Sequence, residues 1–214
     1  MDIRNIRLYG ITSGTAGCPL SLEEAVRAAV RGGVGMLQLR EKSISEDDYV
    51  GKAKSLLKVT KELGIPLIIN DSVDAALKSG ADGVHLGQSD GRPERAREIL
   101  GENAIIGVTA KTVEQALSAE RAGADYFGCG AVFGSRTKEN AVPMSMETLR
   151  EICAAVSIPV FAIGGINAEN AGLLKGSGIC GIAVVSAIFG KSSLEETEAE
   201  ARTLYEISRD IVRE

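Results

Sequence analysis

The sequence predicts an α/β fold, a single-domain (β/α)8 TIM barrel over residues 1–214, and three observations carry that expectation. Eight short apolar runs alternate with eight segments of helical character along the chain. The runs are nearly continuous in apolar residues, as in parallel strands covered on both faces. Four helix ends repeat one phrase, AVRGGVGMLQL, ALKSGADGVHL, AERAGADYFGC and LLKGSGICGIA, in which glycine stops a helix and a strand follows within a few residues. An open doubly wound sheet is the alternative. No GxGxxG follows the first strand, and eight regular units favour closure.

Taken in order, the strand-like runs fall at 7–12, 35–40, 66–70, 83–86, 104–109, 126–133, 159–163 and 181–185. Helical candidates begin at Ser21, Ser45, Ser72, Arg92, Thr112, Met146, Asn167 and Ser192, several on a hydroxyl or amide side chain suited to capping the first turn. Residues 66–90 show the unit most clearly: a β-branched strand, an acidic turn, one short helix, a second strand and a second acidic turn. Both strands of such a unit end on the same rim, where barrels of this kind keep their sites.

Composition narrows the function. With 44% hydrophobic and 25% charged residues, 214 residues make an ordinary globular domain with a substantial core. A net charge of -5, no basic run and 4% aromatic residues argue against a nucleic-acid partner, so an anion would have to be caught by a local cluster. The first residues, MDIRNIRLYG, lack the apolar core of a secretion signal, and no segment approaches the roughly 20 apolar residues of a membrane span, so a cytoplasmic protein is expected. The four cysteines form no CxxC pair and read as buried thiols, with neither zinc nor a disulfide framework implied. The single histidine, His85, has no nucleophile motif to serve and reads as a hydrogen-bonded strand residue near the pocket.

Polar residues gather after the apolar runs. In GMLQLREK the two-residue period puts Gln38 and Arg40 on the strand face opposite Leu37 and Leu39, with Lys42 further out. A guanidinium facing a barrel interior needs an anion: either a ligand, or a protein carboxylate such as Glu41. Asn70, Asp71, Gln88 and Asp90 follow the third and fourth strands. Two carboxylates suit magnesium (Mg2+) if a diphosphate completes its shell, although Asp71 would also serve as a helix cap and Asp90 as a turn residue. The long connection VFGSRTKENAVPMS offers Gly134 as a hinge, hydroxyls at Ser135 and Thr137, and positive charge at Arg136 and Lys138, the features of a lid over an oxyanion; the alternative is a solvated loop. Gly164, Gly165 and Ile166, then Val185, Ser186 and Ala187, follow the last two strands, where barrels commonly hold a phosphate.

Together QLREK (38–42), NDSVDAALKSGADGVHLGQSD (70–90), GADYFGCGAVFGSRTK (123–138), AIGGI (162–166) and AVVSAI (183–188) resemble the thiamine-phosphate synthase family over nearly the whole chain. The resemblance implies joining of hydroxymethylpyrimidine diphosphate to hydroxyethylthiazole phosphate, plain or carboxylated, with release of diphosphate and with Mg2+ as cofactor. It implies that Gln38, Arg40, Lys42, Asn70, Thr109 and Lys138 hold the pyrimidine diphosphate, and that Asp71 and Asp90 hold the metal. Ser135, Arg136 and Thr137, with Gly165, Val185 and Ser186, match the positions that hold the thiazole phosphate. Arg40, Lys42 and Lys138 are the expected catalytic residues, stabilising charge on the departing diphosphate. Two positions depart from the family pattern: Ala131 replaces a usual proline, and Lys111 stands where histidine or another polar residue is frequent. The partners expected are these small molecules, with no nucleic acid and no membrane, and a homo-oligomer would need an exposed apolar helix face. A thiazole tautomerase-like isomerase and a non-catalytic phosphate-binding barrel are the alternatives. Neither has a use for a complete metal-diphosphate site.

Overall fold

Hydroxyl side chains start the helices. Ser21, Ser45, Ser72, Thr112 and Ser145 each accept a hydrogen bond from the backbone N–H three residues on, satisfying a donor that the first helical turn cannot. In the computed structural model, which describes residues 2–12, 20–42, 44–134 and 143–212, these caps open α1 (Leu22–Arg31), α2 (Glu46–Leu63), α3 (Val73–Ser79), α5 (Val113–Arg121) and α6 (Met146–Ala155). Between α3 and α5 lies α4 (Pro93–Leu100), with proline in its first turn. The strands are β1 (Leu8–Ile11), β2 (Met36–Leu39), β3 (Leu67–Asn70), β4 (Gly83–Leu86), β5 (Ile105–Ala110), β6 (Tyr126–Gly130), β7 (Val160–Ile163) and β8 (Gly181–Val184). All pair in parallel in chain order, and β8 returns to β1 to close the barrel.

Alternation along each strand separates two cores. Leu37, Leu39, Leu67, Ile69 and Val84 face outward and are buried beneath the helices. Tyr9, Met36, Ile68, Tyr126 and Phe161 fill the barrel itself. The three interior rings meet edge to face with centroids 5.5 to 5.8 Å apart, the arrangement their quadrupoles favour. Gly107 makes room for this layer, since a Cβ there would lie 2.1 Å from Tyr126 Cζ.

The repeated GAD phrase has a structural reason at the floor of the barrel. Asp82 Oδ2 accepts the Leu67 N–H at 2.8 Å, and Asp125 Oδ2 accepts the Ile106 N–H at 2.7 Å while pairing with Arg97 at 2.7 Å. Each aspartate thus satisfies a backbone donor on the preceding strand. The last helix, α8 (Leu194–Val212), packs on α1 and against β1 and β8, and Ser208 Oγ donates to the Arg7 carbonyl at 2.6 Å.

Three boundaries differ from expectation. Strand β6 ends at Gly130, three residues before the predicted end, and Val132 and Gly134 form only an isolated bridge. The helix expected from Asn167 is one 3-10 turn, Ala171–Leu174, because Gly172, Gly176 and Gly178 interrupt the segment and the last two have positive φ. The β8 rim instead carries a short helix, α7 (Ser186–Phe189), immediately after the strand. Among the described residues, no helix is long and apolar enough to cross a membrane.

Candidate active site

A cavity of about 490 Å³ opens at the C-terminal ends of the strands. Gln38 lines it from β2 and Arg40 from just past that strand, Asn70 from β3, and Thr109 with Lys111 from β5 and its end. Gly165 lines it from the β7 loop, and Val185 and Ser186 from the β8 end. Thus seven of the residues that the resemblance assigns to the substrates share one space: Gln38, Arg40, Asn70, Thr109, Gly165, Val185 and Ser186. Lys42 does not reach the wall and is exposed at the rim. Ser135, Arg136, Thr137 and Lys138 lie outside the described residues.

The carboxylate with which Arg40 was weighed turns elsewhere. Glu41 is 4% exposed in its side chain and pairs with Lys52 at 3.5 Å, whereas Arg40 makes no salt bridge among the described residues. A half-buried guanidinium with that freedom is disposed toward an anionic ligand in the cavity.

Asp71 and Asp90 come together beside this wall. The Asp71 carboxyl is pushed up to about 6, first by burial, then by a hydrogen bond to the Asp90 carboxyl and by its charge; Asn70 and Arg40 oppose the shift. Asp71 sits at φ 65, the only described non-glycine residue at positive φ, and its amide donates to the His85 carbonyl at 2.8 Å. An aspartate in this sparsely populated region marks a site where position matters more than local comfort. Asp90 Oδ2 is itself held by the Gly87 N–H at 2.8 Å. Two facing carboxylates, with the Asp71 carboxyl held above its ordinary range, are an oxygen donor set short of positive charge, and they fit a hard divalent cation. Among the described residues, no group of three or more His, Cys, Asp or Glu gathers into an all-protein cage.

The end of the cavity at β7 and β8 is built from turns. Gly164 and Gly165 have φ 105 and 66, and a Cβ on Gly165 would lie 2.5 Å from the Phe133 carbonyl oxygen. Asn170 Nδ2 ties the Gly165 carbonyl at 2.9 Å, while Asn167 and Asn170 cap one another's backbone amides. This pair does not stand out in the sequence as part of a site. The signal was an N-x-x-N spacing after GGI, typical of local side-chain to backbone turns.

Inside the cavity floor, Gln38 Nε2 meets Tyr9 Oη at 2.6 Å and Tyr9 Oη meets Tyr126 Oη at 2.8 Å. His85 then bridges Tyr126 Oη and Thr109 Oγ1, at 3.1 and 3.0 Å. His85 is therefore the hydrogen-bonded strand histidine that the sequence implied. The tyrosines escaped notice because a strand tyrosine reads as core packing. Elsewhere the described cysteines, 129, 153 and 180, are free; burial raises all three thiols, Cys153 and Cys180 to about 12, so none is a ready nucleophile.

A closed (β/α)8 barrel with its polar cavity on the C-terminal rim defines this chain as a TIM-barrel enzyme. Comparison with known proteins narrows the class. The family model described as thiamine monophosphate synthase matches residues 8–188. A thiamine-phosphate synthase of Ruminiclostridium cellulolyticum is 48% identical over 94% of both chains, and one of Clostridium acetobutylicum is 44% identical over the same shares. The solved thiamine phosphate pyrophosphorylase of Pyrococcus furiosus superposes with a TM-score of 0.86 over 98% of both chains at 38% identity. The chain belongs to the thiamine monophosphate synthase family.

Proposed function

We propose that the chain joins 4-amino-5-hydroxymethyl-2-methylpyrimidine diphosphate to 4-methyl-5-(2-hydroxyethyl)thiazole phosphate, giving thiamine phosphate and diphosphate. The observation that supports this reading most is the meeting, on one rim, of a half-buried Arg40 lacking a salt bridge among the described residues and the facing carboxylates of Asp71 and Asp90. Asp71 and Asp90 would hold Mg2+, whose charge would offset that of the diphosphate.

In this reading Arg40 binds the diphosphate and takes up negative charge as the C–O bond to the pyrimidine methylene breaks, with its electron pair leaving on diphosphate. Lys42 and Lys138 add to that field. The exocyclic amino group of the pyrimidine spreads the positive charge left behind. The thiazole nitrogen then forms the new C–N bond with its lone pair. It has no proton to lose, so no general base is needed, in keeping with a chain whose one histidine is engaged on both ring nitrogens. Gly165, Val185 and Ser186, with the hydroxyls and arginine at 135–137, would hold the thiazole phosphate.

The test is an assay of the purified chain with both substrates and Mg2+, following diphosphate and thiamine phosphate together. Equal formation of both, abolished by chelator, is the expected result. Binding of the thiazole phosphate with no product would overturn the reading.

A further inference from the structure

The line of contacts from Gln38 to Thr109 crosses the barrel through five strands and has a direction. Gln38, Tyr9, Tyr126 and His85 are buried, and Thr109 opens to the cavity. The Gln38 amide nitrogen can only donate, so the one hydroxyl hydrogen of Tyr9 is left for Tyr126 Oη. Tyr126, receiving that hydrogen, gives its own to His85 Nδ1. Burial raises both phenols above their ordinary range, so each keeps its hydrogen at neutral pH. A hydrogen on Nδ1 would collide with the hydrogen Tyr126 directs there. With Nδ1 left as the acceptor, the ring hydrogen belongs on Nε2, which faces Thr109 Oγ1 at 3.0 Å.

We propose that Tyr126 and His85 are positioning residues: a one-way hydrogen-bond chain begun at Gln38 fixes His85 as the Nε2–H tautomer and so turns the Thr109 hydroxyl outward as a donor to bound ligand. Thr109 then selects an acceptor atom, a ring nitrogen or a diphosphate oxygen, and disfavours a donor at the same place. The assignment of that ligand to the pyrimidine diphosphate rests on the function proposed above. The tautomer does not. Because no base is required in the reaction, the histidine contributes through orientation alone.

The presence of a single histidine makes the test direct, since 15N shifts of labelled imidazole arise from His85 alone. The native chain is expected to show a pyrrole-like Nε2 and a pyridine-like Nδ1 at pH 8. Gln38→Glu keeps the side-chain size but leaves only an acceptor beside Tyr9. Each hydroxyl hydrogen then reverses, and His85, three residues along the chain of contacts, flips to Nδ1–H. Tyr126→Phe breaks the chain, gives a mixture of tautomers, and raises KM for the pyrimidine diphosphate about 10-fold with kcat little changed, the loss of roughly one ligand hydrogen bond. Nδ1–H in the native chain, or an unchanged tautomer in both variants, would overturn the proposal. So would the expected tautomers with an unchanged KM in Tyr126→Phe, which would leave the chain without effect on the ligand. A native protein that shows the tautomer pattern but forms no product would count against the proposed reaction and leave the relay standing.

Discussion

Asp71 combines a strained backbone, a facing carboxylate and an arginine within electrostatic reach. Its folded pKa of about 6 lies above the ordinary 3.8, so its contribution to the stability of the metal-free protein is fully present below about 3.8 and is lost as pH rises through 6. A metal needs the ionised pair, so apparent Mg2+ affinity should be level above pH 6 and fall roughly tenfold per unit below it. In Asp71→Asn the like-charge conflict is removed, and asparagine occupies positive φ more readily. The variant should unfold at a higher temperature than the native metal-free chain at pH 8 while losing roughly 100-fold or more in kcat/KM, as expected when a metal ligand is removed. Thermal melts and steady-state rates at several Mg2+ concentrations check both halves; equal Mg2+ dependence in the two proteins would sink the assignment. Asp71 was legible from its place after a strand. Its φ was not, because sequence does not distinguish a capping aspartate from one held in a left-handed turn.

Between β2 and β3 the site depends on a residue from neither strand. Tyr49, in the first turn of α2, donates to the Leu39 carbonyl at 2.8 Å and approaches the Asn70 carbonyl at 3.1 Å. One hydroxyl thus pins the two strand ends from which Arg40 and Asp71 project. Tyr49→Phe should cost about 1 to 3 kcal/mol of stability, since a buried and a part-buried carbonyl lose their shared donor. It should also raise KM for the pyrimidine diphosphate several-fold by loosening the rim; denaturant titration and initial rates measure the two effects separately. At this scale the sequence was informative wherever periodicity and caps agreed, as at Ser21, Ser45 and Ser72. It was misleading at 167–178, where apolar residues at helical spacing are outweighed by glycine. The helix α7 was hidden because four residues carry too little pattern to read.

Across the whole barrel, chemistry and stability occupy opposite ends. The rim gathers polar groups around the cavity, Asp71 among them at positive φ, while the floor satisfies its backbone with Asp82 and Asp125. Asp125→Ala removes the acceptor of both Ile106 N–H and Arg97, so it should destabilise the fold by roughly 2 kcal/mol yet leave kcat and KM unchanged at a temperature where the variant is folded. Melting and rate measurements on one preparation would decide; a matching fall in kcat would deny the division. Closure itself was legible because every unit repeats, but the relay through Tyr9 and Tyr126 was not, since it exists only once strands far apart in sequence share an interior. The same closure sets a timetable. Strand β1 finds one of its two neighbours only when β8 exists, and the Arg7 carbonyl meets Ser208 only when α8 has formed. A chain emerging from the ribosome therefore carries a first strand with one edge open for most of its synthesis, and any product that stops short of β8 keeps that edge exposed for chaperones and proteases to find.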